Sequence, residues 1–508
     1  MRFLLAVLVS SFCILHSSFA ATQRPNIIVI MADDLGYGDL GCYGAKAVQT
    51  PNIDRLAAEG VRFTSGYCSA ATCTPTRFSF ITGTYAFRQK GTGVAPPNGP
   101  ALIKPGTATI SSLLKQAGYA TAVIGKWHLG LGDPKPDWNG DLKPGPLEIG
   151  FDHCFLLPTT NDRVPQVYVN DHRVQNLDAK DPLWVGDKAP DENHPTGITH
   201  RSTLRMDWTH GHNQTIHNGI GRIGFYTGGT AARFRDEDLG DAWIKESNQW
   251  IESHKDQPFF LFFASHDIHV PRMPHERFQG KTPLGFRGDA VVEFDWSVGE
   301  IMKTLDRLHL AENTLIVLCS DNGPVLDDGY KDGAVEKLGD HKPAGPFSGG
   351  KYSVFEGGTR TPFITRWKGR VKPGVSDEIV CTIDLAASFA ALNGVSLPEN
   401  ACRDSFNVLP ALLGESGAKG RDHLLQQDNN GTNFGLRAGD WKLVRMKAKG
   451  KSQAIVTKKV TPLPTSQHAL YHLADDPGEE HDLSAKNPEK TQEMIAKLDA
   501  LIAAERSR

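Results

Sequence analysis

The hydrophobic pattern falls into short unbroken runs separated by stretches of helical period. Asn26-Ile27-Ile28-Val29-Ile30-Met31 is apolar and β-branched without polar alternation, which predicts a strand buried on both faces. Thr121-Ala122-Val123-Ile124, Pro258-Phe259-Phe260-Leu261-Phe262-Phe263 and Leu315-Ile316-Val317-Leu318-Cys319 read the same way. Between them, residues 53–59, 110–116 and 241–254 repeat with helical period. Strands alternating with helices predict an α/β fold, a large mostly parallel sheet sandwiched by helices. After about residue 415 the pattern changes. Residues 434–437 and 441–445 predict a hairpin turning at Ala438-Gly439-Asp440, and residues 469–473 a further strand. Residues 488–503 predict a closing helix with Met494, Ile495, Leu498, Leu501 and Ile502 on one face. The organisation expected is a large α/β domain over residues 21–415 and a small antiparallel-sheet subdomain over 416–508.

Residues 1–20 stand apart. Arg2 precedes the apolar run from Phe3 to Val9, and Ser18-Phe19-Ala20 offers small residues for cleavage. This is the pattern of a secretory signal, so the mature chain is expected to be exported, periplasmic or secreted. No later run reaches the roughly 20 apolar residues of a membrane helix, so stable membrane insertion is not expected. Cys13 leaves with the signal; the seven remaining cysteines form no Cys-x-x-Cys pair, which argues against a structural zinc site. Lys plus Arg number 55 against 58 Asp plus Glu, a net charge of −3. That balance excludes a general polyanion scaffold and gives no reason to expect a nucleic-acid partner.

The chemistry lies where the runs end. They deliver Asp33-Asp34, Lys126-Trp127-His128, Ser265-His266-Asp267-Ile268-His269 and Asp321-Asn322-Gly323. Ligands of open parallel sheets bind at the carboxyl ends of the strands, so these groups are expected to form one site. Asp33, Asp34, Asp321 and Asn322 make an all-oxygen set, which suits calcium or magnesium rather than zinc. A single Asp-Asp or Asp-Asn pair is also a common turn or helix cap; two pairs at equivalent strand ends point to a metal. Lys126, His128, His269 and Lys351 would surround that ion with positive charge, an environment for a tetrahedral oxyanion such as phosphate or sulfate.

Cys73-x-Pro75-x-Arg77 resembles the maturation motif of type I sulfatases, formylglycine-dependent enzymes of the alkaline phosphatase superfamily. The likeness continues through Thr50-Pro51-Asn52-Ile53-Asp54-Arg55-Leu56, Gly125-Lys126-Trp127-His128-Leu129-Gly130, Asp321-Asn322-Gly323, Gly350-Lys351 and Glu356-Gly357-Gly358-x-Arg360-x-Pro362. Leu470-Tyr471-x-Leu473 with Asp476-Pro477 is similar to the family's C-terminal segment. Thr76 stands where the family most often has Ser, and Thr84 where many relatives carry Arg.

The resemblance implies a sulfuric ester hydrolase. It implies that a separate formylglycine-generating enzyme oxidises Cys73 to Cα-formylglycine, whose hydrated aldehyde is the nucleophile. Asp33, Asp34, Asp321 and Asn322, with the formylglycine oxygen at position 73, would hold one calcium ion. Arg77 and His128 would position the nucleophile, with His128 as base for collapse of the sulfated intermediate. Lys126 and Lys351 would bind the sulfate oxygens, and His269 would bind substrate and protonate the leaving alcohol.

Residues 156–234 are irregular and rich in polar groups, the pattern of a functional lid. Asp162, Arg163 and His212 are its candidate substrate contacts; His266 and Asp267 are further candidates beside the site. The basic stretch 447–459 reads as a solvated hairpin tip. Export and the polar lid together point to a sulfated carbohydrate, a galactose- or N-acetylhexosamine-type sulfate. Two alternatives stay open: a phosphate or phosphonate ester hydrolase of the same superfamily, and a catalytically silent glycan-binding relative.

Overall fold

Every residue of the first strand, Asn26–Ala32, is buried, and its side chains divide between two cores. Ile27, Val29 and Met31 enter one core; Ile28, Ile30 and Ala32 enter the other. That division explains the unbroken apolar run, since neither face meets water. The computed structural model describes residues 24–447 and 467–508. The segment expected to be a secretory signal and most of the basic stretch 447–459 lie outside the described residues.

Ten strands form the main sheet: β1 (Asn26–Ala32), β2 (Val61–Phe63), β3 (Ala120–Lys126), β4 (His153–Leu157), β5 (Val169–Asn170), β6 (Arg173–Val174), β7 (Phe259–Ala264), β8 (Thr314–Ser320), β9 (Ile364–Arg366) and β10 (Gly374–Ser376). Their order is β10-β2-β9-β8-β1-β7-β3-β4-β5-β6. The five central strands β8, β1, β7, β3 and β4 are mutually parallel; β9 and β5 run against their neighbours on either side. β7 begins one residue later than its apolar run because Pro258 has no N–H for the ladder; its carbonyl instead accepts from Ala120 N at 3.0 Å.

Helices cover both faces. On one side α1 (Pro51–Ala58), α4 (Leu239–Ser253) and α5 (Phe286–Arg307) bring Leu56, Trp243, Ile251, Phe294 and Val298 onto the sheet. On the other, α2 (Cys73–Thr82), α3 (Ile110–Gln116) and α6 (Leu385–Leu392) contribute Phe80, Ile81, Leu113 and Phe389. This is the α/β sandwich that the run-and-helix pattern predicts.

A second, four-stranded antiparallel sheet joins β11 (His423–Gln427), β12 (Phe434–Ala438), β13 (Trp441–Arg445) and β14 (His468–His472) in sequence order. Helix α7 (Pro488–Ala503) lays Met494 and Leu498 on it. Ala438 pairs with Trp441, so the hairpin turns on Gly439-Asp440 alone, with Gly439 at φ +57°. β11 escapes the sequence pattern because only Leu424 and Leu425 are apolar; Gln426 and Gln427 are buried beside them.

The irregular stretch before α4 is built rather than loose. Ile216–His217 pairs with Ile220–Gly221, and Trp184–Gly186 with Phe225–Thr227. All seven cysteines among the described residues are free. No helix among them is long and apolar enough to cross a membrane.

Candidate active site

The register of the parallel strands builds the site. Ala32 lies opposite Ser320, Met31 opposite Ala264, and Ala264 opposite Gly125. Asp33, Asp321, Ser265 and Lys126 therefore leave the sheet at nearly one level, on its carboxyl edge. Gly125 sits at φ +110°, where an added Cβ would come 1.9 Å from the Ala264 carbonyl; glycine lets β3 close onto β7 just before Lys126. Gly323 has the same kind of reason, since a Cβ there would come 1.8 Å from the Gly357 carbonyl. Asp34 and His128 occupy the left-handed region, at φ 59° and 54°. Such conformations are uncommon for residues other than glycine and gather at functional sites.

Asp33, Asp34, Asp321 and Asn322 are all fully buried. Asn322 Nδ2 donates to Asp34 Oδ1 at 2.7 Å and to the Gly323 carbonyl at 2.9 Å, which fixes the amide's orientation. Asn322 Oδ1 and Asp33 Oδ1 are then left buried without a donor. Two orphaned acceptors among crowded carboxylates are costly unless a cation meets them. Burial and then Asp321 push the Asp33 carboxyl up to about 8, against the pull of Lys126. Burial raises Asp34 as well, with Lys351 opposing. The donor set fits a hard divalent ion. Asp33, Asp34 and His269 also bring one ligand atom each within 4.8 Å of one another.

Cys73 opens helix α2 and is buried. Its Sγ lies 3.3 Å from His128 Nδ1, while His128 Nε2–H donates to the Ala95 carbonyl at 3.1 Å. The carbonyl places the ring proton on Nε2, so Nδ1 accepts from the thiol. Burial and then Lys126 hold the His128 imidazole well below its usual range. Burial raises the Cys73 thiol. Arg77 donates from Nε and Nη2 to Asp321 Oδ2 at 3.0 and 2.8 Å, and from Nη1 to the Lys126 carbonyl at 2.9 Å. It ties α2 to two strand ends and makes no hydrogen bond to Cys73 among the described contacts.

Two lysines flank the carboxylates. Lys126 Nζ donates to Asp33 Oδ2. Lys351 Nζ donates to Asp34 Oδ2 at 2.9 Å and to Asp328 Oδ2 at 2.8 Å. Burial works against the Lys351 charge, yet Asp328 and Asp34 hold its pKa well above the ordinary value. His269 Nδ1–H donates to the Val270 carbonyl at 2.7 Å, leaving Nε2 4.0 Å from Asp34 Oδ2. Burial, then Lys351 and Lys126, keep this imidazole well below its usual range.

The lid brings its candidates together. Arg163 Nη1 donates to Asp162 Oδ1 and Oδ2 at 3.0 and 2.9 Å, and His212 Nε2 lies 3.0 Å from Asp162 Oδ2. Arg163, His269 and His212 outweigh burial and hold the Asp162 carboxyl well below the usual carboxylate range. Asn161, next in the chain, donates to the His269 and Pro271 carbonyls at 3.3 and 3.1 Å and so braces the His269 loop. His266 and Asp267 face away from this cleft, toward Glu293. Trp243 Nε1–H donates to His266 Nδ1 at 3.2 Å, which leaves the proton on Nε2 and no lone pair there for an ion. Asp328 carries no sequence signal of its own, because only tertiary contacts bring it here.

The chain matches the Sulfatase family over residues 25–395. It belongs to the sulfatase family. It is 46% identical over 483 residues to an N-acetylgalactosamine-6-O-sulfatase of Bacteroides thetaiotaomicron, covering 94% of this chain and 93% of the relative. Human arylsulfatase A is 31% identical over 501 residues, covering 96% and 89%. A solved structure concerned with glycosaminoglycan metabolism by Bacteroides thetaiotaomicron superposes with a TM-score of 0.90 at 44% identity, covering 95% of this chain and all of that one. A phosphonate monoester hydrolase of Agrobacterium radiobacter shares the fold at TM-score 0.57 and 17% identity. The sulfatase is a sulfuric ester hydrolase, and its family works through a formylglycine and a divalent metal.

Proposed function

We infer that this sulfatase cleaves sulfate esters of a galactose- or N-acetylhexosamine-type carbohydrate, the 6-sulfate of N-acetylgalactosamine first among them. The observation that carries this reading is the 46% identity, over nearly the whole of both chains, to an N-acetylgalactosamine-6-O-sulfatase.

The residues divide the work by chemistry. Asp33, Asp34, Asp321 and Asn322 hold a calcium ion, because four oxygen donors suit a hard cation. When matured and loaded, the site supplies a hydrated aldehyde at Cys73 as nucleophile and a cation that draws charge from the sulfate. Lys126 and Lys351 bind the sulfate oxygens. His128 is the base for the collapse step, taking the proton from position 73 on Nδ1, the nitrogen that faces Cys73. His269 Nε2 faces the same space; an incoming sulfate beside it favours the protonated ring, which then serves the leaving alcohol. Arg77 holds α2 against Asp321 and so sets where position 73 stands. Asp162, Arg163 and His212 meet the sugar. Residues 21–415 form the catalytic domain and 416–508 the small subdomain, residues 1–20 direct export, and a formylglycine-generating enzyme acts on Cys73 before use.

Sulfate release from a panel of sulfated saccharides by protein matured with that enzyme tests the reading. Galactose, N-acetylgalactosamine, glucosamine and fucose sulfates belong on the panel, with phosphate esters alongside. Release from N-acetylgalactosamine 6-sulfate is expected. Turnover of phosphate esters alone, with Cys73 shown by mass to be converted, would overturn it.

A further inference from the structure

Asp328 is an odd neighbour for a lysine that binds an anion. Its Oδ2 accepts from Lys351 Nζ at 2.8 Å, and Tyr352 OH donates to its Oδ1 at 3.2 Å. Lys351 already has Asp34 as a partner on the metal side. A second carboxylate weakens the pull of Lys351 on sulfate, so sulfate affinity alone gives no reason for it.

The position of Asp328 supplies a reason. Lys351 is 2% exposed, whereas the Asp328 side chain is 15% exposed, comparable to the 17% of Arg163. The segment around it is pinned to the lid on both sides. Thr209 Oγ1 donates to Asp327 Oδ1 at 2.7 Å, Trp208 bridges to Tyr330, and the Tyr330 ring lies 4.6 Å from that of His212. Arg163 feels the Asp328 charge, and Asp328 feels Lys351 first and then His212 and Asp162. Arg163, His212 and the Asp328 carboxylate thus gather around Lys351, with His212 packed against Gly329 and Tyr330 beside Asp328.

We propose that Asp328 is a specificity-determining residue that admits a neutral hydroxyl or amide N–H beside the scissile sulfate and rejects a second anionic group there. An ionised carboxylate accepts a hydrogen bond from a neutral donor, whereas a second sulfate would face it as a like charge in a cleft with little water. On a pyranose cut at its 6-sulfate, the nearest ring substituent is at position 4. The selected substrate is therefore a sugar sulfated at position 6 and free at position 4. This rests on the carbohydrate reading above and adds the charge its substrate must lack.

The test compares N-acetylgalactosamine 6-sulfate with its 4,6-disulfate, using matured full-length protein. Wild type should prefer the monosulfate, and Asp328→Asn should narrow the ratio of kcat/KM values by about tenfold or more. Asp328→Glu, which keeps the charge, should retain the preference. Because loss of Asp328 also frees Lys351, the ratio of Kd values is measured in parallel in a Cys73→Ala background, where turnover plays no part. Wild type that cleaves both sugars equally, or an Asn variant with unchanged ratios in both measurements, would overturn the proposal and leave the carbohydrate reading standing. Wild type that cleaves neither sugar would overturn that reading, and this proposal with it.

Discussion

Cys73 Sγ lies 3.3 Å from His128 Nδ1, and the Ala95 carbonyl holds the opposite nitrogen as its N–H. The ring therefore presents a lone pair to position 73, as a proton acceptor must. Replacing His128 with Ala should lower kcat by about 10²–10⁴-fold in protein whose Cys73 is converted to the same extent as in wild type. Burial and Lys126 hold this imidazole below its ordinary value of 6.5. Its neutral form, the one that accepts, thus persists as the pH falls through that value. In the pH–rate profile kcat should hold across pH 6.5 and decline only in more acid solution; halving at 6.5 would show a ring free to charge.

Removing the metal should expose the strain among the carboxylates. In the metal-free fold Asp33 is pushed up to about 8. Its stabilising contribution is fully present below its unfolded value of 3.8 and is lost as the pH rises through about 8. A divalent ion bound by Asp33 would displace that proton. Calorimetry in two buffers of different ionisation heat should therefore report close to one proton released per ion near neutrality. Chelation should abolish turnover and lower the unfolding midpoint, more at pH 8 than at pH 6, and calcium should restore both. Full activity in excess chelator would remove the ion from the account.

Asp39 tests the fold that carries the site. Arg287 Nη1 and Nη2 donate to its two oxygens at 2.7 Å each, and His341 Nε2 lies 2.8 Å from Oδ1, all within the buried interior. Burial works against the carboxylate, but Arg287 and His341 hold its pKa well below the usual range. The stability it contributes is present above 3.8 and drains away as the pH falls below that value. Arg287→Met removes the permanent cation and leaves the buried Asp39 carboxylate only His341 and the Gly36 N–H, and should cost about 3–5 kcal/mol in denaturant unfolding. A loss under about 1 kcal/mol would mean that the pair contributes little.

A second buried pair ties the small sheet to the short helix Glu356–Thr359. Lys442 Nζ on β13 donates to Glu356 Oε1 at 2.7 Å, and Glu479 Oε2 accepts from Glu356 N at 2.7 Å. Lys442→Met should destabilise the protein by about 3–5 kcal/mol, because Glu356 would stay buried and charged. Adding Glu356→Gln should recover a large part of that loss in the same unfolding experiment. An additive double variant would show the two groups to be energetically independent.

The strand ends were legible because a parallel sheet announces itself twice, in runs such as 26–31 and 315–319 and in the polar groups that follow them. Asp33, Asp34, Lys126, His269, Asp321 and Asn322 could be assembled from that alone. Cys73 stood out only through resemblance, since it ends no apolar run, and Lys351, which ends none either, was pinned to its motif only by the resemblance. Asp328 could not be read at all: it sits in a stretch without periodic pattern, in a segment held by Thr209, 118 residues from Asp327 in the chain. The same holds for β11, whose buried glutamines look like loop residues until Gln426 Nε2 is seen donating to Thr359 Oγ1 at 2.6 Å.

The shared level at which β8, β1, β7 and β3 release their reactive groups has a practical meaning for engineering. Reaction chemistry is anchored to a rigid ladder, while the proposed sugar contacts hang from residues 156–234 and the short segment around Asp328. The two can be exchanged separately. A lid transplanted from a relative of different taste, with its own residue at position 328, would meet the same nucleophile and cation. An insertion of one residue inside β1 would instead turn its side chains to opposite faces and dismantle the reaction centre, whatever the lid.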